Sequence, residues 1–306
     1  MTAFWPKNKR IRPFYKITAL FISLSVVFQL TSGCFSFRMS QKEVNTYFAD
    51  SKLKPTISAY NIAGRTINYS AIGNDTLPTI IFFHGAPGSW SAFIDFFQND
   101  SLLNKVEMVS VDRPGYGYSN FGNSQPSLQK QTEYFKPLLE KYHKTPTYLV
   151  GHSLGGPIIA KIAMEYPDLI DGLIMVAPSI DPDLEPNEGW FRFPLHTPFL
   201  RWILPVSFRV TNDEIYFLED ELNLMLPDWK KITVPVTVIQ GMKDSLVPPG
   251  NAEFAKNRLV NSEWLNIVLV EDMDHFVPWT NPDLIENAIY YHLQKKVEQN
   301  PTFSTY

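Results

Sequence analysis

The stretch Tyr148-Leu-Val-Gly-His-Ser-Leu-Gly-Gly156 leaves this chain few folds to choose from. An apolar run over 147–150 reads as a buried strand that ends at Gly151. A helical pattern begins at Leu154 and continues through Ile158, Ile159, Ile162 and Ala163. Between them stands Ser153, framed as Gly151-His152-Ser153-Leu154-Gly155. This G-x-S-x-G spacing predicts a sharp strand-to-helix turn that lifts one hydroxyl above a sheet edge. Strand and helix then lie so close that a Cβ at either flanking glycine would clash. The turn also aims the free N–H groups of the helix start at the hydroxyl, where negative charge could be held. Gly156 and Pro157 fall in the first helical turn, where proline is tolerated. Taken alone, the pentapeptide also fits an ordinary Gly-rich turn, so the rest of the chain must decide.

The rest alternates strand and helix. Residues 56–60 and 65–71 alternate apolar with polar about a turn at Asn61–Gly64, as an antiparallel strand pair does. Residues 78–84 form a continuous apolar strand of the kind buried on both faces of a parallel sheet. It runs into Gly85-Ala-Pro-Gly-Ser89. A helix over 90–97, a strand over 106–111 and a helix over 128–142 follow. Beyond the Ser153 turn come strands at 173–176, 234–240 and 265–270, and helices at 252–259 and 284–297. Such alternation predicts an open, mostly parallel α/β sheet with helices on both faces.

Ser179–Ile232 breaks the rhythm with six prolines and nine aromatics, among them Trp190, Phe193, Trp202, Phe208 and Trp229. Prolines at that density allow only short helices, and at this point the aromatics have no strand to pack on. An inserted helical cap over the C-terminal edge of the sheet accounts for both features; the alternative is a long structured loop. Trp190 and Trp202 are the cap residues expected to touch a substrate.

The N-terminus carries five basic residues and no acidic one over positions 1–33, with a 14-residue apolar run, Ile17–Leu30. That run is shorter than the ~20 residues of a membrane span and fits the apolar core of an export signal. Thr31, Ser32 and Gly33 lead to Cys34, the single cysteine. This resembles a bacterial lipoprotein signal, which implies lipidation at Cys34; an uncleaved signal anchor is the alternative. Either implies a membrane-tethered protein of the cell envelope. Without residues 1–33 the chain has 22 basic against 31 acidic residues, a net of −9, which argues against a polyanion such as nucleic acid as partner. The division expected is 1–33 signal peptide, 34–55 tether, 56–178 and 233–298 core, 179–232 cap and 299–306 tail.

Further marks complete a constellation. Asp244 follows a strand as Gln-Gly-Met-Lys-Asp, and His275 follows the last strand as Asp-Met-Asp-His-Phe. His84-Gly-Ala-Pro-Gly88 and Arg113-Pro-Gly-Tyr-Gly-Tyr-Ser119 each follow a strand. In these marks and their order, Ser153, Asp244, His275, the chain resembles the α/β-hydrolase family from about residue 56 to 297. The resemblance implies an eight-stranded, mostly parallel sheet with a cap. It also implies a Ser153–His275–Asp244 triad with an oxyanion hole at the Ala86 and Leu154 N–H groups. A serine hydroxyl needs a neutral imidazole to take its proton, and an acid to hold that ring and stabilise the cation. His84 is expected to brace the oxyanion loop, and His152 to lie beside the nucleophile; both are candidate substrate contacts. Asp181 is the rival acid, because some members place it after the strand ending at Val176.

A serine at the nucleophile position argues against the dehalogenases and epoxide hydrolases of this family, which use aspartate there. His-Gly-Ala-Pro-Gly resembles the loop of proline iminopeptidases, but they carry Trp where Leu154 stands. The expected reaction is therefore hydrolysis of a small-molecule acyl ester. Amide or carbon–carbon cleavage by the same triad, and a non-catalytic binding role, remain as alternatives. No Cys/His cluster with metal spacing and no phosphate-binding Gly-rich loop appears, so no cofactor and no metal is expected.

Overall fold

The computed structural model describes residues 36–299. The export-signal and lipidation expectations at 1–33 and Cys34 lie outside the described residues, as does the tail from 300. Eight strands form one sheet: β1 Thr56–Ile62, β2 Arg65–Ile72, β3 Thr79–Phe83, β4 Glu107–Val111, β5 Thr147–His152, β6 Gly172–Val176, β7 Val236–Gly241 and β8 Leu265–Val270. Their spatial order is β1-β2-β4-β3-β5-β6-β7-β8. β1 pairs antiparallel with β2, and β2 antiparallel with β4. From β4 to β8 every pairing is parallel.

The helices that cover it are α1 Gln41–Tyr47, α2 Leu128–Tyr142, α3 Gly155–Glu165, α4 Gly189–His196, α5 Val206–Met225, α6 Gly250–Arg258 and α7 Pro282–Gln299. The central strands are buried on both faces, and their side chains alternate between two cores as a period of two requires. Ile81, Phe83, Leu149, Leu173 and Val238 pack with α2, α3 and α6. Ile80, Phe82, Val150, Ile174 and Ile239 pack on the other face with α1, α7 and the 3₁₀ helix Trp90–Gln98. That 3₁₀ segment stands where the apolar spacing predicts a helix, and it is kinked at Phe93. Burial sets its shape: Phe93 and Phe96 close on the Phe82 ring at 4.7 and 5.5 Å.

Within the stretch expected as a tether, residues 36–54 pack on the core. Val44 and Phe48 are buried, Ser89 Oγ donates to the Phe37 carbonyl at 2.5 Å, and Arg38 Nη1 donates to the Gly117 carbonyl at 2.9 Å. The 179–232 segment, which leaves the sheet between β6 and β7, holds a 20-residue helix, α5. Its prolines do not shorten it because Pro205 caps its start and Pro227 lies beyond its end.

Candidate active site

The strand order reverses direction between β3 and β5: the chain leaves β3 for β4 on one side and β5 for β6 on the other. At such a switch point the loops after the two strands part and leave a crevice at their carboxyl ends. The loop after β3 and the Ser153 turn after β5 meet there; a Cβ on Gly85 would lie 2.9 Å from Ser153 Cβ.

The Ser153 turn is as tight as its glycines predict. A Cβ on Gly151 would stand 2.5 Å from the Gly155 carbonyl oxygen, and one on Gly155 would stand 2.2 Å from that of Phe83. Ser153 itself takes φ = 53°, a left-handed conformation that costs an L residue roughly 1–2 kcal/mol. The helix that follows has no side-chain cap at Leu154. Among the described residues neither the Ala86 nor the Leu154 amide has a hydrogen-bond acceptor, and both residues line the same cavity as Ser153.

His275, after β8, lies 2.7 Å through Nδ1 from Asp244 Oδ2, after β7. The other carboxylate oxygen accepts from the Leu246 and Val247 amides at 2.9 and 2.8 Å. Burial opposes ionisation of Asp244, but the bonds from His275, Val247 and Leu246 outweigh it and hold its pKa below the ordinary carboxylate value. An ionised Asp244 makes Nδ1 the protonated nitrogen and leaves Nε2 as the basic one. Asp181 is turned elsewhere, accepting from the Asp183 amide at 3.0 Å. Ser153 and His275 line one cavity, without a mutual hydrogen bond among the described residues.

His84 and His152 also line the cavity, but both ring nitrogens of His84 and Nε2 of His152 are engaged. The Arg113 amide donates to His84 Nε2 at 3.1 Å, so Nδ1 carries the proton and donates to the Gly85 carbonyl at 2.6 Å. Burial, with the Arg113 charge second, lowers the His84 pKa well below its ordinary value. His152 Nε2 donates to the His275 carbonyl at 3.0 Å, bracing the backbone of that residue. Burial and the neighbouring His275 lower the His152 pKa to about 3. Trp190 and Trp202, expected from the sequence to meet a substrate, do not line the cavity; both project from the outer side of the 179–232 segment. Their place is taken by Phe37, Phe208, Ile215 and Trp279, with Glu185, Glu188 and Arg192 as the charged part of the wall.

The cavity measures about 750 Å³. A family model described as the alpha/beta hydrolase fold matches residues 78–202. The structure of a membrane phospholipase A superposes with a TM-score of 0.61 at 16% identity, covering 93% of this chain and 98% of that one. The chain has the α/β-hydrolase fold. Protein ABHD8 of Bos taurus is 26% identical over 254 residues, 72% of this chain, and the chain spans 57% of the length of that relative. The sn-1-specific diacylglycerol lipase ABHD11 of Mus musculus is 28% identical over 124 residues, 40% of this chain and 38% of its own length. Among the described residues of this α/β-hydrolase fold, no group of three His, Cys, Asp or Glu could hold a metal ion.

Proposed function

We propose that this chain is a serine hydrolase that cleaves a carboxylic ester, with Ser153 as nucleophile, His275 as base and Asp244 as the orienting acid. The 2.7 Å Asp244–His275 pair, on the same cavity as a serine held at positive φ, carries the reading. In the reaction Ser153 Oγ attacks the ester carbonyl carbon while His275 Nε2 takes the hydroxyl proton. The oxyanion is held by the Ala86 and Leu154 amides, which have no other acceptor among the described residues. His275 then returns the proton to the departing alcohol. Water, deprotonated by the same nitrogen, attacks the acyl-enzyme and frees the acid and Ser153.

The mostly apolar cavity of about 750 Å³ suits an acyl chain. The diacylglycerol lipase and the phospholipase A among the similar proteins are named for lipid-ester cleavage, which favours lipid esters as the substrate class here. We place the protein outside the cytoplasm, tethered through lipidated Cys34; mass spectrometry of the mature N-terminus tests this, and an unmodified Cys34 overturns it.

A fluorophosphonate probe followed by a graded panel of acyl esters, amides and diketones tests the reaction. Labelling of the wild type but not of Ser153→Ala, with turnover confined to esters, supports the proposal. No labelling of the folded wild type favours a binding role, and turnover of amides or diketones instead of esters reassigns the bond.

A further inference from the structure

Outside the cavity, the largest exposed apolar side chains crowd into one short stretch. Trp190 is 80% and Phe199 is 85% exposed, and Phe193, Leu200, Trp202 and Ile203 are exposed with them. Residues 190–203 contain no carboxylate, and their two arginines are already neutralised, Arg192 by Glu188 and Arg201 by Asp213. A patch so apolar is costly to leave in water and marks a surface that meets something.

The same stretch adjoins the point where the undescribed N-terminal residues reach the body. The Phe37 ring packs edge-on against Phe208, 5.8 Å between centroids, and both line the cavity. The next residue, Arg209, donates to the Trp202 and Leu204 carbonyls at 3.1 and 2.7 Å. Arg192, within the same stretch, also lines the cavity, so the stretch borders the cavity wall. Phe37 stands three positions after Cys34, the proposed point of lipidation.

We infer that residues 190–203 form a lipid-docking surface that seats the cavity mouth on the bilayer. Trp and Phe side chains enter the interface, and because the arginines are paired, docking is hydrophobic and needs no anionic lipid. The choice of a bilayer over a protein partner rests on the tethering reading above, whose own test at Cys34 is separate from the one that follows. Docked this way, a lipid ester would pass from the membrane into the cavity without crossing water.

Hydroxyl-radical footprinting of the full chain in phosphatidylcholine vesicles tests this. Trp190, Phe199 and Trp202 should oxidise about tenfold more slowly than Tyr291, reversing the order that interface-free exposure dictates. Oxidation at the Tyr291 rate or faster overturns the inference. So does protection that persists after the lipid is removed, since the Ile17–Leu30 run or a second copy would then cover the patch. As a second measurement, Trp190→Ser with Phe199→Ser, both exposed and so compatible with folding, should slow cleavage of a vesicle-borne ester about tenfold and leave a dissolved short ester unaffected. Equal loss on both substrates, or on neither, overturns it. The footprint holds whether or not the protein cleaves esters.

Discussion

Arg113 and Glu214 meet as a two-point ion pair, 2.9 and 3.0 Å, buried at the seam between the sheet and α5. Arg113 also donates to the His84 and Gly85 carbonyls at 2.8 and 3.3 Å, and Glu214 accepts from Tyr116 and Gln131 at 2.7 and 3.1 Å. One guanidinium thus ties the loop that carries Ala86 to the helix that roofs the cavity.

Removing the carboxylate strands that guanidinium in the interior. Glu214→Ala should destabilise the fold by about 3–5 kcal/mol, because an unpaired buried charge keeps its full desolvation cost. Glu214→Gln, which keeps acceptor and shape, should cost less. Denaturant unfolding of both variants checks the order; equal stability of Glu214→Ala and wild type would remove the pair from the account.

The left-handed turn at Ser153 predicts a difference between two inactive variants. Glycine accepts φ = 53° and alanine does not, so Ser153→Gly should exceed Ser153→Ala in stability by about 1 kcal/mol. Both should lower turnover roughly 10⁴- to 10⁶-fold. Thermal unfolding gives the first comparison and ester kinetics the second.

Gly155→Ala should cost at least about 2 kcal/mol, since the added methyl meets the Phe83 carbonyl oxygen at 2.2 Å and neither backbone can yield. The loss is read by denaturant unfolding. A neutral result would mean that the turn is looser than its contacts require.

Acid should weaken the fold in two windows. His152 and His292 are buried with pKa values lowered to about 3, each chiefly by burial, and His84 lies well below its ordinary value. From pH 6.5 downwards the unfolded chain binds these protons and the folded chain does not. Stability is therefore full above about pH 6.5 and falls below it, by up to about 1.4 kcal/mol per pH unit for each histidine. Asp244, depressed when folded, adds a loss only below about pH 4, where the unfolded carboxylate begins to protonate. His292→Gln, remote from the cavity, should flatten the first slope when unfolding is followed from pH 7.5 to 4.5. An unchanged slope would mean that His292 is not held neutral.

Asp244→Asn should reduce turnover by orders of magnitude, because the amide no longer stabilises the His275 cation. Asp181→Asn should leave it near wild type, as that carboxylate is occupied with Asp183. The reverse outcome in parallel ester assays would reassign the acid.

The amino-acid sequence alone determined the mostly parallel sheet and the Ser153 turn, and the grouping of Ser153, Asp244 and His275 came from the family resemblance. The first two rest on short-range signals: apolar runs set β3 and β5–β7, and glycines on either side of one serine set the turn. Only the tertiary structure decided what faces the cavity. Trp190 and Trp202 are aromatic and lie in the expected segment, yet they point outward, whereas Phe37, from a stretch that reads as a spacer, lines the wall. The Arg113–Glu214 pair joins positions 101 residues apart. The physical reason is one of range. Periodicity and turn chemistry act between near neighbours along the chain, but which side of a helix meets solvent, and which buried charge finds a partner, is fixed by the competition of distant surfaces for burial.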